Sequence, residues 1–121
     1  MPRFSETLMD HAQSPRNRGT LRHADRVGVA GIPGRGRSIV LQLVLDGQRV
    51  SAAGFQAQGC GVTIAAASML TELVIGRTLA QCGEVTTQQL AAALDGMPAD
   101  KLDRAALAVA ALHGALETEP S

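Results

Sequence analysis

The chemistry this chain can do centres on one cysteine held between two glycines, Gly59-Cys60-Gly61. The triplet sits where a strand-like run ends and a helical period begins. A side chain at such a turn meets backbone N–H groups that have no partner inside the helix. A thiolate there is stabilised by those donors and by the helix dipole, and the flanking glycines let backbone and substrate approach closely. The competing reading of the same triplet is a small buried structural cysteine. A cysteine hydrolase needs a positioned base, and the sequence places none of His11, His23 or His113 beside Cys60. His11 is expected to serve packing or a cap in the first helix, and His113 to be a partly exposed helix residue. No nucleophile, base and oxyanion-donor set can be named, so independent enzymatic turnover is not expected. Cys60 is left as a candidate thiolate or persulfide carrier.

The elements that must position Cys60 are legible as an α+β layout: an N-terminal helix, a three-stranded antiparallel sheet, then several helices packed on the sheet. Ser5 is a good N-cap for a helix carrying Leu8, Met9 and Ala12, and Ser14-Pro15 ends it. Val27 and Val29 open a first strand. Residues 38–45 form a second, Asp46-Gly47 is a hairpin signal, and residues 49–57 return antiparallel. Phe55 falls out of step with Val50 and Ala52, which next to Gly54 predicts a bulge there. From Val62 the period becomes helical, with Val62, Ala66, Met69, Leu70 and Leu73 on one face until Gly76. A short turn at 78–81, a helix from the cap Thr86 through Leu94, a break at Asp95-Gly96-Met97-Pro98 and a last helix over 100–116 complete the order. One domain is expected over 1–116, with a flexible polar tail over 117–121.

Bulk composition excludes several function classes. The chain has 121 residues, 45% hydrophobic and 18% charged, the balance of a packed globule. With no Trp or Tyr and two Phe, the core must be aliphatic, which makes a helical partner or a homodimer interface plausible. Eleven cations, ten of them Arg, balance eleven anions, so no global field favours nucleic acid or a membrane surface. Two cysteines without an apolar signal core behind Met1 read as reduced thiols, and a cytoplasmic location is expected.

Three stretches carry a resemblance. They are Phe4-Ser5-Glu6 with Asp10-His11, Pro15-Arg16-Asn17 and Gly19; Gln58-Gly59-Cys60-Gly61 with residues 64–68 and Thr71-Glu72; and residues 98–102 with Ala105, Leu107-Ala108 and 110–112. In this order and spacing, from Phe4 to about Leu116, the chain resembles the IscU/NifU-type iron–sulfur cluster assembly scaffold domain. The resemblance implies a site of three cysteines and an aspartate for zinc or a [2Fe–2S] cluster, with a cysteine desulfurase supplying sulfur. It also implies departures. The first cysteine position falls on Arg35, the aspartate on Arg37, the third cysteine on Arg104 and its neighbouring histidine on Asp103. The chaperone-recognition stretch is altered to Met97-Pro98-Ala99-Asp100-Lys101. Cys60 alone stands at one of the family's ligand positions, and arginine stays protonated and repels cations.

The expectation is therefore a degenerate member in which no metal is held and no cofactor is expected; the alternative is a cluster or zinc shared with a partner through Cys60. If Arg35, Arg37 and Arg104 converge on Cys60, they favour thiolate over thiol and suit a persulfide carrier. They suit a pocket for a small anion equally well. If they face solvent, they keep a vestigial site soluble. Two functional readings stand. One is an accessory or sulfur-transfer protein of cluster assembly, partnered by a cysteine desulfurase or a true scaffold homologue. The other is a non-catalytic binding or structural subunit, pairing with a true scaffold or a larger protein complex.

Overall fold

A computed structural model describes residues 3–117 of the chain. Ser5 caps the first helix, α1 (Glu6–Gln13), its hydroxyl accepting the Leu8 N–H at 3.0 Å. Three strands follow, β1 (Arg26–Gly31), β2 (Ser38–Asp46) and β3 (Arg49–Gln58), antiparallel and in sheet order β1-β2-β3. Gly47, at φ 64°, supplies the left-handed backbone that the two-residue β2–β3 turn requires. The helices come last: α2 (Gly61–Val74), α3 (Leu79–Cys82), α4 (Thr87–Ala93), a 3₁₀ turn (Ala99–Lys101) and α5 (Leu102–Glu117). Thr78 and Thr86 cap α3 and α4, each in a reciprocal capping box with a glutamine, Gln81 and Gln89. Of the tail expected over 117–121, Glu117 closes α5 and the rest lies outside the described residues.

Two expectations are corrected in detail. The bulge is not at Gly54: Phe55 pairs in register with Leu41, and the extra residue is Ser51, opposite the step between Val44 and Leu45. One inserted residue at that point turns Val50, Ala53 and Phe55 all toward the core despite their unequal parity, which is the mismatch the sequence displays. Helix α2 is buried on more than one face. Ala66, Ala67, Leu70 and Val74 join the main core with Ile39, Leu41, Leu43 and Phe55, while Val62 and Ala65 pack on Leu8 and Leu94. A helix enclosed between the sheet and α1 loses its polar stripe.

Helix α5 lies directly on β1. A Cβ placed on Gly28 would stand 1.9 Å from Ala111 O and 2.4 Å from Ala115 N, so backbone meets backbone there. Opposite it, a Cβ on Gly114 would find Gly28 Cα at 3.6 Å, an ordinary contact. We therefore expect Gly28→Ala to lower stability by about 3 kcal/mol or more in denaturant unfolding, and Gly114→Ala to change it by less than about 1 kcal/mol.

Between α1 and α2 sits a buried polar cluster. The Ser68 hydroxyl accepts the Arg16 N–H at 2.8 Å and lies 2.7 Å from His11 Nδ1, while His11 Nε2 is 3.4 Å from Glu72. Burial pushes the His11 pKa below its ordinary 6.5, helped by Arg16 and opposed by Glu72 and Asp10. The folded state thus resists a proton that the unfolded chain accepts, so stability present above pH 6.5 is lost as pH falls below it. Melting curves of His11→Gln should show a shallower decline of Tm below pH 6.5 than the wild type; an unchanged slope would remove His11 from this role.

Candidate functional site

The end of β3 delivers Cys60 to the N-terminus of α2, where it is the N-cap residue in extended conformation, with φ −76° and ψ 174°. Gly59, at φ 142°, makes the turn possible. Cys60 is exposed and its thiol is free; its Sγ lies 3.7 Å from Thr63 Oγ1. Burial of the sulfur pushes its pKa up, but the Thr63 N–H and hydroxyl, the Val62 N–H and the Arg104 guanidinium together outweigh it and pull the pKa down to about 7. Cys82 is the opposite case. It is buried in the core, its Sγ 3.9 Å from Val74 O, and burial raises its pKa against the opposing charge of Arg77.

The three arginines are not equivalent. Arg104, in the first turn of α5, interacts with Cys60 and is mostly buried, 15% of its side chain being exposed. Its Nη1 donates to Asp103 Oδ1 at 2.6 Å and to Asp100 O at 3.3 Å. Arg37, just before β2, pairs with the other carboxylate oxygen, Asp103 Oδ2, at 3.2 Å. Its stem lies over the cysteine loop, since a Cβ on Gly59 would meet Arg37 Cγ at 3.0 Å. Arg35 is exposed in the preceding turn, where its N–H donates to Ile32 O, and its side chain forms no hydrogen bond or ion pair among the described residues. Of the histidines, His11 is buried and 2.7 Å from Ser68, while His23 and His113 are exposed.

Three features of the site lie beyond what the residue types announced. The Thr63 hydroxyl and N–H face the sulfur, one helical turn on. Asp103 bridges two arginines that are 67 positions apart in sequence. An apolar cavity of about 290 Å³ opens beside Cys60 between α1 and α2, lined by Phe4, Leu8, Met9 and Val62 with Lys101 at its wall. The cap-to-N3 spacing of Cys60 and Thr63 was a readable signal for the first. The cavity and the bridge are tertiary and had none.

A family model described as the NifU-like N terminal domain matches residues 3–119. The chain belongs to this NifU-like family. It is 35% identical to the iron–sulfur cluster assembly scaffold protein IscU 1 of Archaeoglobus fulgidus, over 93% of this chain and 74% of that protein. The IscU of Haemophilus influenzae is 34% identical, over 93% of this chain and 92% of that protein. The nitrogen fixation protein NifU of Cereibacter sphaeroides is 44% identical over 85% of this chain, which spans 42% of that protein's length. A crystal structure described as a cluster assembly scaffold protein for the SUF system, from Fervidobacterium islandicum, superimposes with a TM-score of 0.72. It covers 94% of this chain and 96% of its own and, at 19% identity, shares the fold.

These relatives correct one expectation. The NifU-like chain was expected to have no cofactor, yet relatives matching nine-tenths of it are named for iron–sulfur cluster assembly, so clusters belong to this family's chemistry as cargo. A ligand count in one chain tests for a resident centre and says little about cargo. The charged groups at this end of the NifU-like domain are the Cys60 thiol itself, the Arg104 guanidinium acting on it, and the Asp103 carboxylate, which is already bound to Arg104 and Arg37. Among the described residues no group of three His, Cys, Asp or Glu is placed to hold a metal ion, and no helix is long and apolar enough to cross a membrane.

The balance of forces on Cys60 has a direct readout. Its alkylation rate against pH should rise with a midpoint about 7, with Cys82 silent in the core. Arg104 favours the thiolate, so Arg104→Met should move that midpoint upward toward 9.0. A midpoint that stays put in the variant would remove Arg104 from the balance.

Proposed function

We propose that this chain serves iron–sulfur cluster assembly in the cytoplasm as a non-enzymatic, sulfur-handling member of its family, with Cys60 carrying the sulfur. The cysteine desulfurase that accompanies such scaffolds is the donor. A thiol of a scaffold homologue with a full ligand set is the acceptor of the sulfane sulfur, and the cluster is that scaffold's cargo. The NifU-like family and the assembly role of its relatives support the pathway. The observation that carries the assignment of Cys60 is its place at the N-terminus of α2 with Thr63 and Arg104 against the sulfur, Arg104 standing where the resemblance places a third cysteine; these groups bring the pKa down to about 7.

The chemistry is a thiol–persulfide exchange. Cys60 Sγ, as thiolate, attacks the outer sulfur of the donor's persulfide. The donor's S–S bond breaks, a new S–S bond forms on Cys60, and the donor sulfur departs as a thiolate. One sulfane sulfur moves with no net oxidation or reduction. The second transfer runs the same way: an acceptor thiolate takes the outer sulfur and Cys60 leaves as thiolate. A pKa near ambient pH suits both halves, because the group must be ionised to attack and stable enough to leave. The N–H groups of Val62 and Thr63 and the Arg104 guanidinium are placed to receive the negative charge in each half.

The test is an anaerobic incubation with a cysteine desulfurase and cysteine, read by mass spectrometry. We expect the wild-type chain to gain one sulfur atom at Cys60, to lose it to a scaffold bearing three cysteines, and to gain none as Cys60→Ser. A desulfurase that turns over while Cys60 gains nothing would overturn the carrier role and favour the binding-subunit reading.

A further inference from the structure

Arg104 interacts with Cys60, and Arg37, whose stem lies on the adjacent Gly59, is tied to Arg104 through one carboxylate. Asp103 gives Oδ1 to Arg104 at 2.6 Å and Oδ2 to Arg37 at 3.2 Å. The two arginines come from opposite sides of the site: Arg37 from the connection before β2, its stem resting on Gly59, and Arg104 from the first turn of α5. We propose that Asp103 is a positioning residue that holds Arg37 and Arg104 together at Cys60 and thereby makes the site selective for anionic sulfur donors. This rests on the sulfur-carrier reading of Cys60 and adds to it the substrate class and the device that selects it.

Two guanidiniums brought together repel each other, and each gains freedom and hydration by swinging into solvent. Arg104 is held by packing and by Asp100 O as well as by Asp103. Arg37 has 43% of its side chain exposed, and its one ion pair among the described residues is with Asp103. Without the carboxylate, Arg37 is the cation free to leave. A solvated arginine on the far side of a Debye length contributes little field at the sulfur.

Asp103 also carries a negative charge, so a second effect opposes the first. As a neutralising charge alone, its removal would strengthen the positive field at Cys60. As a tether, its removal lets a cation escape and weakens that field. The two effects have opposite signs, so the direction of change decides between them. Solvent around the carboxylate, 54% exposed, screens all of its charge interactions, and screening acts least on the 2.6 and 3.2 Å contacts with the arginines. The tether is therefore expected to win. The donor class follows: a persulfide or any other sulfane-sulfur donor that is anionic at its reacting end is drawn to these cations, and a neutral donor gains nothing.

The experiment uses two disulfide reagents on the full chain above the thiolate's titration range, one anionic (a bis-nitrobenzoate disulfide) and one neutral (dipyridyl disulfide). In each reaction Cys60 Sγ forms a mixed disulfide and releases one thiolate. The quantity read is the anionic-to-neutral rate ratio, normalised to a small free thiol. We expect the wild-type ratio to exceed that of the free thiol and to fall with added salt, and Asp103→Asn to lower it by about fivefold. Asp103→Glu should restore it. Arg37→Gln should lower it to the same extent, with no further drop in the double variant, because both changes remove the same cation. Matching thermal melts for the variants separate loss of selectivity from loss of fold. A ratio that rises or stays level in Asp103→Asn would overturn the positioning role. The sulfur-carrier reading fails by a different result, a wild-type Cys60 that is selective for the anionic reagent yet accepts no sulfur from a persulfide.

Discussion

The approach of α5 to β1 is the contact on which the site depends. Where Gly28 faces Ala111 and Ala115, no side chain separates helix from strand, and Ala105 and Ala108 continue the same narrow face toward the helix N-terminus. An aliphatic core without Trp or Tyr gains its burial through such close approaches. The consequence is positional. With its C-terminal half pressed on β1, where Arg26 Nη1 reaches Leu116 O at 3.0 Å, α5 points its first turn to the opposite end of the sheet. That is the end where β2 begins at Ser38 opposite Gln58, and where β3 gives way to Cys60. Arg37, Cys60 and the pair Asp103-Arg104 meet because three separate chain segments terminate at one sheet end.

What these groups do at that end is a contest between desolvation and donation. Partial burial penalises the Cys60 thiolate, and four hydrogen-bonding interactions from Thr63, Val62 and Arg104 overcome that penalty. Two residues of the same chemical type therefore behave differently. Cys82 has burial without sufficient compensation and stays a thiol in the core, whereas Cys60 has donors enough to ionise near neutral pH. The difference is the helix N-terminus, the Thr63 hydroxyl and one guanidinium, and the thiol itself contributes nothing to it.

Much of the architecture was legible because local chemistry and tertiary need agree. Ser5, Thr78 and Thr86 announce helix starts and act as caps, and Asp46-Gly47 announces a hairpin and forms one. The bulge was legible in kind and misplaced in position, since a parity mismatch between Val50 and Phe55 is satisfied by an extra residue anywhere between them. The burial of α2 on more than one face was not legible, because its small residues, Ala65, Ala66, Ala67 and Ser68, form no stripe and are buried by neighbours that arrive from both sides. At the site, Cys60 could be singled out from its glycines and its place before a helix. The bridge by Asp103 could not, since nothing in the spacing of residues 37 and 103 indicates that a carboxylate will lie between two arginines. The ligand count misled in one respect, by treating cargo as though it had to be a resident group.

Exchanging thiolates for guanidiniums changes which charge a site can accept. A site of cysteines and an aspartate is negative when empty and is completed by a cation. Here Arg37, Arg104 and Lys101 at the cavity wall stand against one aspartate and one thiolate, so the site stays positive even with the sulfur ionised. On the proposed reading an anion is favoured there, because the Val62 and Thr63 N–H groups and the Arg104 guanidinium already act on the sulfur. A persulfide keeps the terminal negative charge of the thiolate it replaces, one sulfur atom farther out. On the proposed carrier reading the same donors would follow it without rearrangement, which is the electrostatic condition for loading and unloading at one cysteine.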